Sequence, residues 1–101
     1  MDVLAKLGVT YEQLAAVCRK YGLRRLAFFG SVLTDEFGPN SDVDILIDYP
    51  RDQIPGLRAS YEMEQDFMQL FGRAVDIGNF NFIYPAFRSA ILKAAIDVYA
   101  A

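Results

Sequence analysis

The residues of this chain whose types and spacing could do chemistry are three aspartates and a glycine–serine pair. Gly30-Ser31 is the one Gly-Ser dipeptide, and ten residues, Val32 to Ser41, separate it from the one Asp-x-Asp, Asp42-Val43-Asp44. A third carboxylate, Asp76, follows between Val75 and Ile77. Carboxylates at strand positions otherwise committed to a core repel one another and lose hydration, so something cationic must compensate them. Mg²⁺ is suited to this, because it takes oxygen ligands, uses only a few carboxylates, and completes its shell with water and phosphate oxygens. On this reading Asp42 and Asp44 bridge two Mg²⁺ ions. One, shared with Asp76, lowers the pKa of an attacking hydroxyl, and the other holds a triphosphate and neutralises the leaving pyrophosphate. Gly30 lets the backbone approach a phosphate, while the Ser31 hydroxyl and the amides that follow donate to its oxygens. Each piece alone has a plainer reading, the dipeptide as a tight turn and the aspartates as surface strand carboxylates. The shared spacing is what favours a site.

Composition narrows the alternatives. There are no histidines, which removes the usual general base, the commonest zinc ligand and every Ser-His or Cys-His pair, so chemistry here runs on carboxylates. Ten basic against thirteen acidic residues give a net charge of −3, the wrong sign for a protein that holds nucleic acid through its overall field. A length of 101 residues with 53% hydrophobic and 23% charged residues fits a single folded domain over 1–101. The longest apolar run, Leu14 to Cys18, is five residues, whereas a membrane-spanning helix needs about 20. With no basic-then-apolar leader at the start, the expected setting is cytoplasmic. The single cysteine, Cys18, cannot form an internal disulfide and reads as a buried, inert thiol.

The elements that must position the candidate residues follow from periodicity. Val3, Leu4 and Leu7 suggest a helical turn or two, and Thr10 with Gln13 opens a capped helix over 11–21 that Gly22 ends. Leu26 to Phe29 reads as a central strand, Ser31 to Phe37 as a short helix, and Gly38 to Ser41 as a turn. From Asp42 to Tyr49 the sequence alternates, with Val43, Ile45 and Ile47 on one face and Asp42, Asp44, Leu46 and Asp48 on the other, so Asp42 and Asp44 share a side. Leu57 to Phe71 reads as a long helix stopped by Gly72, Ala74 to Ile77 as a third strand, and Pro85 to about Ala95 as a last helix. The tail from Ile96 to Tyr99 fits neither period cleanly. Alternating helices and strands imply a small α/β or α+β layer structure with a sheet of three strands or slightly more.

Secondary features have plain structural readings. Arg19, Lys20, Arg24 and Arg25 complement a helix C-terminus, with docking of an acidic partner as the alternative. Asp48 reads as a solvated strand end, and Asp35 and Glu36 as acids at a helix start. Arg73, Arg88 and Lys93 read as solvated ends rather than phosphate contacts. Phe80, Phe82 and Tyr84 are expected mostly in the core, with an exposed partner-facing patch as the alternative.

Four segments, "RRLAFFGSVL", "PNSDVDILIDY", "FGRAVDIG" and "AILKAAIDVYA", together resemble the minimal nucleotidyltransferases of the DNA polymerase β superfamily, in particular the MntA-like antitoxins paired with HEPN-domain toxins. The resemblance implies a small mixed β-sheet flanked by helices, phosphate binding at Gly30 and Ser31, and Mg²⁺ binding at Asp42, Asp44 and Asp76. It further implies transfer of AMP from ATP to a tyrosine hydroxyl of a partner HEPN toxin. The sequence departs from the family pattern at Thr34-Asp35, where an Arg-Gly pair is common, and at Gly78-Asn79-Phe80, where a Thr-Pro turn is common. Two other functions compete: an antitoxin that neutralises its partner by stoichiometric binding, and a stand-alone transferase acting on a small molecule or on RNA.

Overall fold

A computed structural model describes residues 2–101. Helix α1 (Val3–Leu7) is capped by the Asp2 carboxylate, which accepts from the Ala5 amide. Helix α2 (Tyr11–Lys20) begins with the reciprocal pair the sequence announces: Thr10 Oγ1 accepts from the Gln13 amide, and Gln13 Oε1 from the Thr10 amide. Four strands follow, β1 (Arg25–Phe29), β2 (Val43–Asp48), β3 (Val75–Asn79) and β4 (Ile96–Ala100), with helices α3 (Leu57–Phe71) and α4 (Pro85–Ala94) between β2 and β3 and between β3 and β4.

The strands form one mixed sheet in the order β3-β2-β1-β4. β1 runs antiparallel to both β2 and β4, and β2 runs parallel to β3. A parallel pair needs a crossover, and the segment carrying α3 supplies it. One face of the sheet is closed: Val43, Ile45 and Ile47 of β2 join Leu26 and Phe28 of β1, Leu14, Ala15 and Cys18 of α2, and Met63, Phe67 and Phe71 of α3 in one buried cluster. Phe28 meets Phe71 edge-on and Phe67 stacks on Phe71, both at 5.8 Å between centroids. On the other face Ala27, Leu46 and Phe80 form a smaller cluster covered by Ile91 and Leu92 of α4, a helix with no fully buried residue.

Three expectations change. The tail is strand β4, held to β1 by its backbone ladder and by a two-point pair from the Arg25 guanidinium to the Asp97 carboxylate, 2.9 Å at each point. The helix expected over Ser31 to Phe37 is only a 3₁₀ turn, Gly30–Leu33, because the Thr34 hydroxyl donates to the Ser31 carbonyl and accepts from the Glu36 amide, offering the backbone a local alternative to a helix. Asp35 and Glu36 therefore lie in a turn. Of the three aromatics expected in the core, Phe80 is buried, but Phe82 and Tyr84 are 80% and 69% exposed.

Candidate active site

The sheet brings the aspartates together. Asp42 sits one residue before β2 and is exposed; Asp44, second residue of β2, is half-buried; Asp76, second residue of β3, is exposed. The parallel register pairs Asp44 with Asp76, and the Val43 amide donates to the Ala74 carbonyl at 3.0 Å just ahead of the pair. On the other side of β2, Asp44 pairs with Phe29, which delivers Gly30 to the Asp44 carboxylate. Gly30 has φ of +77°, and a Cβ there would stand 3.0 Å from Asp44 Cγ and overlap the carboxylate oxygen. Glycine is thus required twice over, by the left-handed backbone and by the close approach.

Electrostatics ties the three acids into one group. Burial raises the Asp44 carboxyl above the ordinary carboxylate range, and the charges of Asp76 and then Asp42 raise it further. Among the described residues no three acidic side chains converge tightly enough to enclose a metal ion. The arrangement is an open ledge of carboxylate oxygens beside a glycine cradle. That donor set fits Mg²⁺, which needs few carboxylates when water and substrate phosphates fill the rest of its shell.

The 3₁₀ turn places Ser31, half-buried, directly after Gly30, and the Thr34 amide closes the turn on the Ser31 carbonyl at 2.9 Å. Two cations that the sequence did not mark as part of the site support the segment from this turn to Asp42. Lys6 of α1 donates to the carbonyls of Val32 and Thr34, and Arg73 donates to those of Gly38 and Ser41. Their partners lie 26 to 35 residues away, beyond the reach of any local pattern. Arg73 is therefore a half-buried strut rather than a solvated end. Arg88 likewise donates to the Phe80 carbonyl at 2.6 Å. Asp48 is engaged by Arg24 at 2.8 Å and by Asn81 at 3.3 Å. The basic cluster disperses into separate pairs, Lys20 with Asp66, Arg24 with Asp48, Arg25 with Asp97, and Arg19 with Glu12 at 4.0 Å.

The mixed sheet thus sets a glycine turn against paired strand carboxylates. Residues 11–98 match the family described as nucleotidyltransferase domain; the chain belongs to that family and is an enzyme, a nucleotidyltransferase. It is 31% identical over 89 residues, covering 86% of the chain and 91% of the relative, to a Methanocaldococcus jannaschii protein named "putative protein adenylyltransferase". A solved structure of a "putative minimal nucleotidyltransferase" superposes with a TM-score of 0.74 at 28% identity over 95% of each chain. A solved toxin–antitoxin structure with AMP-PNP shares the fold at a TM-score of 0.73 and 16% identity, covering 92% of this chain and 75% of the other.

Proposed function

We propose that this chain is an antitoxin that uses Mg²⁺ and ATP to transfer AMP to a hydroxyl, that of a tyrosine, on a partner HEPN-domain toxin, in the cytoplasm. The observation that carries this reading is the register that sets Asp44 beside Asp76 while Gly30 presses against the Asp44 carboxylate. The name of the Methanocaldococcus jannaschii relative supports the adenylyl group, and the toxin–antitoxin neighbour supports a toxin as the partner.

In this reading Gly30 and the Ser31 hydroxyl, with the amides of the 3₁₀ turn, bind and orient the phosphates. Asp42 and Asp44 would hold two Mg²⁺ ions, with Asp76 joining one. Bound Mg²⁺ supplies neutralisation of the triphosphate and of the departing pyrophosphate, and lowers the pKa of the acceptor hydroxyl. Asp76, exposed beside Asp44, would take the proton of the entering hydroxyl. The acceptor oxygen bonds to the α-phosphorus as the bond to the bridging oxygen breaks, and pyrophosphate leaves with the electron pair. The half-burial of Asp44 keeps that carboxylate poorly hydrated and so ready to accept a cation.

The test incubates the chain with a HEPN-domain partner, Mg²⁺ and ATP labelled at the α-phosphate, beside the Asp42→Asn, Asp44→Asn variant. Label on the partner is expected with the natural chain only, and chelation of Mg²⁺ abolishes it. If neither chain labels the partner while both still suppress it, neutralisation is stoichiometric and the transfer reading is falsified.

A further inference from the structure

After the 3₁₀ turn, the segment leading to Asp42 has neither helix nor strand, so its shape must be fixed from outside. Two cations from distant parts of the chain do this. The Lys6 ammonium lies 2.9 Å from the Val32 carbonyl oxygen and 2.8 Å from that of Thr34, and 5.3 Å from the centroid of the Phe37 ring. The Arg73 guanidinium lies 2.8 Å from the Gly38 carbonyl oxygen and 2.9 Å from that of Ser41, and 4.2 Å from the same centroid. Both distances to the ring fall within the range of about 6 Å over which a cation is attracted to an aromatic face. Phe37 is itself packed against the main core, so the ring both cations share is anchored.

We infer that Lys6, Phe37 and Arg73 form a clamp that sets the offset between the Gly30-Ser31 turn and the aspartates; the inference rests on the functional reading above. The two cations act on different halves. Lys6 holds the Val32 and Thr34 carbonyls and so braces the 3₁₀ turn that carries Ser31. Arg73 holds the last residues before Asp42 and stands two residues ahead of β3, so it couples the approach to Asp42 with the strand that carries Asp76. None of the three touches a reacting atom; they are positioning residues.

Their separate roles make a separable signature. Lys6→Met is expected to raise the KM for ATP about tenfold with kcat nearly unchanged, since it frees the phosphate turn, and Lys6→Arg restores most of the loss. Arg73→Met is expected to lower kcat about tenfold and raise the Mg²⁺ requirement with little change in KM for ATP, since it moves Asp42 relative to Asp76. Amide hydrogen exchange across Val32 to Ser41, measured on the chain alone, is expected to speed up in both variants. This readout needs no activity, so it separates failure of the clamp from failure of the transfer reading, which Asp44→Asn tests. Unchanged exchange in either variant overturns the clamp. So does a loss in which both variants alter KM and kcat alike, or in which parameters normalised to the folded fraction equal those of the natural chain.

Discussion

The face of the sheet under α2 and α3 is closed, with Phe28, Ile45 and Phe67 wholly buried, whereas the face under α4 buries only a small cluster and is open at its end, where it carries a half-buried charge, Asp44. The same strand serves both, since Val43, Ile45 and Ile47 turn to the first and Asp44 and Leu46 to the second. Stability is thus concentrated on one side of this small domain and partly given up on the other. The closed face accumulates apolar burial; the open face holds like charges close together at the site, and burial and mutual repulsion both push the Asp44 carboxyl upward.

The sharpest way to separate the faces is Asp44→Asn. We expect transfer activity to fall about a thousandfold, measured with labelled ATP. We expect the same variant to melt at a higher temperature than the natural chain at neutral pH, because a poorly solvated charge is gone. The sign follows from linkage: a carboxyl raised in the fold weakens the native state where it must ionise, above its raised pKa, and the penalty fades as pH falls through that value. The thermal gain of the variant should therefore vanish in acid. A variant that melts lower at neutral pH contradicts the account of the open face.

Next in size is a pair of truncations, one on each face. Phe67→Ala in the closed core is expected to cost about 3–5 kcal/mol in urea unfolding. Phe87→Ala on α4, whose side chain is 60% exposed, should stay within about 0.5 kcal/mol. Comparable losses would show that α4 is as much a part of the core as α3. Between these falls Gly30→Ala, where the left-handed backbone alone costs about 1–3 kcal/mol and the added methyl displaces the Asp44 carboxylate. Chemical unfolding should register the first effect and loss of transfer the second.

The smallest effects belong to the outer surface of the closed side. Asp66 is held below the ordinary carboxylate range by hydrogen bonds from Lys20 and Tyr21. Its contribution is present above the unfolded pKa and is lost as pH falls through the lowered value, so Lys20→Met should flatten the acid limb of the stability curve. Urea midpoints taken from neutral pH downwards test this, and parallel curves would contradict it. Cys18 is fully buried, and burial pushes its thiol up to about 12, so a thiol reagent at neutral pH should label it only as the chain unfolds.

Local signals were readable in the sequence, and remote ones were not. The Thr10–Gln13 cap, the alternation of Val43, Ile45 and Ile47, and the stop at Gly72 each act within a few residues, and each fixes an element where expected. The spacing of Gly30-Ser31, Asp42, Asp44 and Asp76 was legible too, and the sheet sets Asp44 beside Asp76 with Gly30 against the Asp44 carboxylate. Lys6 drew no reading and Arg73 reads as a solvated end in the sequence, because a charged residue on a short helix or at a strand end looks solvated until its carbonyl partners are brought in from elsewhere. Phe82 and Tyr84 follow an apolar pattern yet face outward, since a 3₁₀ turn, Phe80–Phe82, rotates the chain out of the strand after Phe80 is buried. The tail became an edge strand through pairing with β1 and the Arg25–Asp97 contact, neither of which its own residues reveal.

The parallel seam between β2 and β3 has a temporal consequence. Asp42 and Asp44 lie on one side of the crossover through α3 and Asp76 on the other, so a nascent chain still short of β3, or one nicked within Pro50 to Gly56, lacks a covalently secured third carboxylate. Closing a loop of that length costs chain entropy before the pairing repays it. On the proposed function, competence at the ledge should accordingly await completion of the sheet, leaving half-folded molecules idle rather than partially active.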